Sequence, residues 1–479
     1  MRARNFAHIE SEAVLDLSLL ASVLVSAAAG TAFGFLTGLV PALHMNNIAA
    51  AVTAYGSAAL AVSGSVAFAD VPNGAGILVS CFISSTLVSH IFSESVVSTY
   101  VGIPDEDVVS VLPAHRLAKA GLGALAVRSS ADGALAGVLC SVALVFPVCA
   151  LMGSPVLAYD AISKLMPFVV SVFIFLLIMS EGYPSLRPRH HAPNHIMRMI
   201  SAFAVFLAAG VLGTVVLLSN YYAAPVMDFP WMSNGFVPRS SLLLPMFAGF
   251  FGVPSLMLSM GSRPLPGITF THADDGARPL SAREVFTMLL GGVMVGWLPG
   301  MTSGSATTAC SPTMVEGRAV EDVSSASRFV WLYSAISTSG AVMSVGALFV
   351  IQRARSGSMD AVSFFVGETF VQGEWFQLVP LMSAILLSMV VSSILSHWAL
   401  GRFLPVLSRS SRFLCSRALA VFSLVFVTGL CLYLTGTRGA LVMAASVSLG
   451  MLTPIAGIRR LQLMGSLLVP IWILFVTMM

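Results

Sequence analysis

Stretches long and apolar enough to cross a bilayer follow one another along almost the whole chain. They fall near 14–36, 47–68, 75–93, 134–152, 165–180, 199–219 and 240–260, then near 284–300, 327–350, 376–396, 418–434, 440–456 and 461–478. A hydrocarbon core about 30 Å thick is crossed by about 20 apolar residues in a helix. Several windows are short or interrupted, so the pattern predicts an all-α polytopic membrane protein with about 10–13 membrane segments. Charged residues make up 9% of the 479 positions, against about 25% in a soluble domain, which excludes a water-soluble fold. A net charge of +3 on so few ionisable groups speaks for loop orientation in a lipid bilayer and against nucleic acid. Arg2 and Arg4 before an apolar run imitate a leader, but Glu10, Glu12 and Asp16 interrupt its front, so retention is expected. The six cysteines lack paired metal spacing and read as small buried hydrophobes, so no metal site is expected.

Basic residues gather in a few loops: Arg116, Lys119 and Arg128; Arg187, Arg189 and Arg198; Arg402, Arg409, Arg412 and Arg417; Arg459 and Arg460. The positive-inside rule puts these in the cytoplasm. Two spans separate the first pair of clusters, and a hairpin of 418–434 with 440–456 starts and ends on a basic loop, so these share one side. Three full spans before residue 99 would leave Arg2 and Arg116 on opposite faces. The simplest repair makes the Gly34–Asn47 region part of a re-entrant hairpin that returns to its own side; the alternative is an extra embedded segment within 96–125. The polar, proline-bearing loop 225–240 divides the chain into two membrane repeats, 1–230 and 231–479. Whether they are parallel or inverted stays open.

The repeats are suggested by one device used twice. Residues 34–47 align without gaps on 292–305, and both copies run Gly-x3-Gly-x2-Pro inside an apolar helix before turning to small polar residues. Broken helices are tolerated at membrane depth only where protein or a watery cavity satisfies the freed backbone. A pair of such breaks in corresponding halves points to a transporter's binding site. After Pro41, a helix restarting near Asn46 aims free N–H groups and about half a positive charge at the break, which suits a carboxylate. Thr37, Gly38, His44, Asn46 and Asn47 stand there. At the second break Pro299, Gly300, Thr302, Ser303, Gly304 and Ser305 supply hydroxyls and close backbone approach. Close helix packing is the better reading of a single Gly-x3-Gly motif; two broken copies favour function.

Three acids are candidates for a coupling ion: Asp70 and Glu94 at the edges of apolar spans, and Asp105 in the run Asp105-Glu106-Asp107. Each reads equally as an interfacial or solvated group. His190, His191 and His195 lie among prolines and read as a solvated loop. No phosphate-binding loop, zinc-protease pair or nucleophile elbow occurs.

Three stretches resemble a known family: the break at 34–41, the second break ending Leu298-Pro299-Gly300, and Gly102-Ile103-Pro104 followed by the basic, glycine-bearing run 115–126. In these the chain resembles the large membrane subunit of tripartite tricarboxylate transporters. That family usually carries Pro-Gly where this chain has Pro41-Ala42, and glycine where Asp105 follows Pro104. The resemblance implies uptake of carboxylates driven by an ion gradient, with a soluble binding protein and a small membrane subunit as partners.

The reading is therefore a secondary active transporter of a small organic anion, holding its solute between the two broken helices. No cofactor is expected beyond Na⁺ or H⁺ as coupling ion, and a homodimer is left open. The alternatives are an integral-membrane enzyme or assembly protein acting on lipid-linked substrates, for which His90 and Glu94 would be the titratable pair, and a passive channel.

Overall fold

The computed structural model describes residues 2–64, 74–101, 108–182, 195–218, 222–223, 240–260, 281–310, 323–367, 375–410, 413 and 416–477. Gly102-Ile103-Pro104, Asp70, Asp105, His190, His191 and the dividing loop after 223 lie outside these residues. In the first half run α1 (Arg2–Thr37), α2 (Met45–Ala54), α3 (Gly56–Gly64), α4 (Gly74–Tyr100), α5 (Val108–Lys119), α6 (Gly123–Met152), α7 (Ala158–Met179) and α8 (His195–Leu218). In the second run α9 (Leu243–Ser259), α10 (Ala282–Trp297), α11 (Ser303–Cys310), α12 (Val323–Ile351), α13 (Gly357–Val366), α14 (Val379–Arg409), α15 (Arg417–Ala456) and α16 (Gly465–Thr477). Two short strands, β1 (Tyr222–Ala223) and β2 (Ser240–Ser241), pair antiparallel.

Nine helices among the described residues are long and apolar enough to cross a membrane. One of them supplies two legs. Within α15, Gly436 takes φ 61 and ψ −152, a conformation essentially reserved for glycine. In a straight helix Ala420 and Gly450 would lie about 45 Å apart. Instead Gly450 sits against Pro254, while Leu256, two residues on, packs against Ala420. The chain therefore folds back at Gly436, as the expected hairpin of 418–434 and 440–456 requires. With that extra leg the count reaches the lower end of the expected range. The window 47–68 differs from a simple span, because α2 and α3 meet at a bend on Tyr55.

Helix direction follows from hydroxyl-to-carbonyl bonds between neighbours, a common means of packing helices in lipid. Ser26 donates to Leu78 O (2.6 Å) and Ser89 to Thr31 O (2.7 Å), so α1 and α4 run parallel. Ser392 donates to Ser85 O (2.7 Å) and Tyr100 pairs with Ser408 (2.9 Å), so α14 runs with them. On the other side Ser130 pairs with Ser334 (2.7 Å) and Ser141 with Ser339 (2.6 Å), which sets α6 parallel to α12. Gly292 lies against Ser339 and Gly296 against Met343, so α10 runs with those two. Gly123 packs on the Tyr100 ring while Asp132 meets His397 at 2.8 Å, so α6 opposes α4 and α14. Two triplets of helices thus run in opposite directions: α1, α4 and α14 against α10, α12 and α6.

Helices α4 and α12 form the interior. Their apolar windows are 72% and 83% buried, whereas no other spanning window exceeds 44%. Small and hydroxylated residues make this close packing feasible. A Cβ at Gly34 would strike Thr86, and one at Gly292 would strike Ser339, so both glycines serve packing as well as the break.

Parallel α1 and α4 correct one expectation. The 34–47 region does not return the chain to the side that α1 reached in a way that leaves Arg2 and Arg116 on one face. Gly38 lies level with His90 and Ser93, so the chain must travel back about 28 Å before Gly74 can begin α4. The amino-terminal end of α1 therefore faces away from the end where Tyr100, Ser408 and the basic segments 116–128 and 402–409 gather. Of the other basic positions, Arg198, Arg459 and Arg460 share that end as expected. Glu181, after two crossings, accepts from the Arg459 N–H (2.9 Å) and from Arg198 Nη2 (3.4 Å) and so ties those loops together.

Replacing Gly436 with alanine should cost about 1–3 kcal/mol, because a Cβ is disfavoured at that φ and ψ. The loss is expected as a lower Tm of the purified protein in detergent, with helix content unchanged by far-ultraviolet circular dichroism.

Candidate functional site

Both aligned segments are interrupted, and the chain restarts at matching places. Helix α2 begins at Met45 and α11 at Ser303, the same column of the alignment. The residue after each proline takes a left-handed backbone: Ala42 at φ 63 and Gly300 at φ 72. The family pattern of Pro-Gly at this place has its physical reason here. The residues just before the restarts, His44 and Thr302, also correspond, and each acts as a cap. His44 Nδ1 accepts the Asn46 N–H at 3.0 Å. Thr302 and Ser305 satisfy each other, Thr302 N–H donating to Ser305 Oγ (2.9 Å) and Ser305 N–H to Thr302 Oγ1 (3.2 Å). That reciprocity is the logic of a capping box.

Around the first break, Pro41 and Asn47 are buried. Thr37 Oγ1 donates to Phe33 O (3.0 Å) and stands 3.3 Å from His90 Nδ1. Gly38 rests on Ser93 and beside the backbone N of Glu94, which places Glu94, the acid candidate that lies within the described residues, next to the break. Ala42 touches Gly252 within a π-helical stretch of α9, 248–252; such stretches often mark functional sites. Around the second break, Pro299, Thr302, Gly304 and Ser305 are buried. Ser303 O accepts Thr307 Oγ1 at 2.6 Å, and Gly304 O accepts Thr308 Oγ1 at 2.8 Å. Much of the hydroxyl set therefore stabilises the short helix itself.

A third segment links the two breaks, and the sequence reading did not anticipate it. Residues 352–356 join α12 to α13 and include Gln352 in a left-handed conformation (φ 51). Arg355 Nη2 donates to Tyr159 Oη at 2.8 Å. The Tyr159 ring lies 6.2 Å from the ring of Trp297, the last residue of α10 before the second break. Two residues beyond Arg355, the Gly357 N–H donates to Asn46 Oδ1 at 3.1 Å. One continuous path thus runs Trp297, Tyr159, Arg355, Gly357, Asn46. On it or next to it, four buried side-chain groups have no partner among the described residues: Trp297 Nε1, Arg355 Nε, Asn47 Nδ2 and the Ser358 hydroxyl. A buried polar group left unpaired costs about 1–3 kcal/mol. A single signal was available in the sequence, an arginine between two apolar windows, and by itself it marks nothing.

Buried helix breaks in a polytopic all-helical membrane protein are a feature of transporter binding sites. Comparison with known proteins gives the family: residues 24–465 match the Tripartite tricarboxylate transporter TctA family, and the chain belongs to it. It is a multi-pass membrane transport component of the tricarboxylate type, which sets aside the membrane-enzyme alternative. An uncharacterized protein of Methanocaldococcus jannaschii is 23% identical over 335 residues, 70% of either chain. No solved structure matches.

The strain at Ala42 is testable. Left-handed backbone costs a non-glycine residue about 1–2 kcal/mol, so Ala42→Gly should raise Tm. Gly300→Ala should lower it, since the added Cβ would also meet the Leu468 side chain. Scanning fluorimetry of the two variants should therefore move in opposite directions.

Proposed function

We propose that this protein is a secondary active carrier for a small organic anion of the di- or tricarboxylate class, driven by an ion gradient and working by alternating access. One observation carries the reading: two buried helix interruptions restart at matching positions, with matching left-handed residues and caps, at the ends of oppositely directed helices. Opposed directions favour inverted-topology repeats over parallel ones, the halves being residues 1–230 and 231–479. In such carriers the solute sits between the interrupted helices while one group of helices rocks against the other. Asn46 and Asn47 after the first break, with Thr302 to Ser305 after the second, frame that position.

The coupling ion is Na⁺ or H⁺. Glu94 lies at the first break, beside Gly38, and Thr37 with His90 forms the polar contact next to it. The tripartite make-up of the family supports two partners, a soluble protein that delivers solute and a small membrane subunit.

The deciding measurement is accumulation of labelled citrate or succinate in proteoliposomes under an imposed Na⁺ or H⁺ gradient, reconstituted with the partner subunits where available. Uptake against the solute gradient is expected, and its collapse when the ion gradient is dissipated. Asn46→Ala removes the acceptor for the Gly357 N–H, and Ser305→Ala removes one side of the second cap. Both should reduce uptake at least about tenfold while insertion stays normal, in line with about 1–2 kcal/mol for a lost cap. Equilibration without accumulation would indicate a passive pore instead.

A further inference from the structure

The path between the breaks carries one fixed positive charge, and the geometry points to it as the anion ligand: we infer that Arg355, midway between Trp297 and Asn46, binds a carboxylate of the transported solute. This rests on the carrier reading above and adds the residue that supplies the charge.

The guanidinium has a single described hydrogen bond, Nη2 to the Tyr159 hydroxyl, while its buried Nε lacks an acceptor. None of the described salt bridges involves Arg355. Of the buried arginines, Arg198 meets the Glu181 carboxylate, while Arg460, like Arg355, donates to a hydroxyl, that of Ser255. A buried cation without a carboxylate partner is expensive to keep, and a planar fork of N–H groups fits a carboxylate in two-point fashion. At the two ends of the path Trp297, 1% exposed, and Asn47, the 2% exposed residue next to Asn46, also have an unanswered N–H. A charged donor with a buried Nε lacking an acceptor, held between two helix breaks, suits an oxyanion. Tyr159 fixes the guanidinium from one end and packs on Trp297, while Gly357 and Asn46 anchor the segment at the other end. Arg355 thus sits where both interrupted helices can sense whether it is occupied.

Citrate binding to the purified full-length chain in detergent, followed by isothermal titration and by ligand-induced thermal shift, tests the assignment. Arg355→Gln should weaken citrate about 10- to 100-fold, the span expected for one charge-assisted contact. Arg355→Lys keeps the charge but loses the fork, and should weaken it at least about tenfold. Trp297→Phe keeps a ring against Tyr159 and removes only the N–H, with a several-fold loss expected. Citrate should also protect Arg355 from modification by phenylglyoxal, read by peptide mass spectrometry. Wild-type affinity in a folded Arg355→Gln protein would overturn the assignment and leave the carrier reading standing. If Arg355→Gln does not fold, unchanged affinity in Arg355→Lys together with absent protection overturns it equally. A wild-type chain that neither binds nor transports citrate or succinate would bring down the carrier reading, and this assignment with it.

Discussion

A peptide group freed from a helix inside a bilayer has to find its partner in the protein, because lipid offers none. The architecture follows from meeting that demand twice. At the first interruption His44 caps the restarted helix and Asn46 receives an N–H from α13. At the second, Thr302 and Ser305 close on each other. Interruptions of this kind persist only deep inside a bundle, so α4 and α12 must lie within the protein and carry the small, hydroxyl-bearing residues that allow their neighbours to approach. Their burial and their serine-rich sequences are two aspects of one requirement.

Hydroxyl-to-carbonyl bonds then set direction. Parallel neighbours in a membrane need a return leg between them, and each half provides one immediately after its interruption. The return leg in the first half begins with α2 and α3, bent at Tyr55. In the second half the chain restarts as α11 before α12 takes up its place beside α10. The Arg355 segment meets the first restart at Asn46 and reaches the end of α10 through Tyr159 and Trp297.

Much of this could be read from the amino acids. Glycine and proline disclose an interruption in any apolar helix, since one loosens the hydrogen-bond ladder and the other removes a donor. The hairpin at Gly436 showed itself as two apolar windows between basic loops. Direction did not, because loop charge reports only sides, and Arg2 with Arg4 pointed to the wrong one. Window 47–68 passed for one span because its composition is uniform across Tyr55. The hydroxyls of Thr302 and Ser305 looked available for solute, and their mutual capping became visible only with coordinates. Arg355 was silent: an arginine five residues past an apolar window ordinarily lies in water, and its partial burial depends on a connector that brings it against Tyr159.

The asymmetry between Ala42 and Gly300 reaches further than its size suggests. A carrier with near-equivalent halves would be indifferent to which mouth stands open, and any preference has to come from places where the halves differ. One methyl group, held in a backbone region that resists it and facing Gly252, is such a place. A difference of about 1.4 kcal/mol between two conformers is a tenfold population ratio, so strain of this size, if relieved in only one of them, would set a resting orientation.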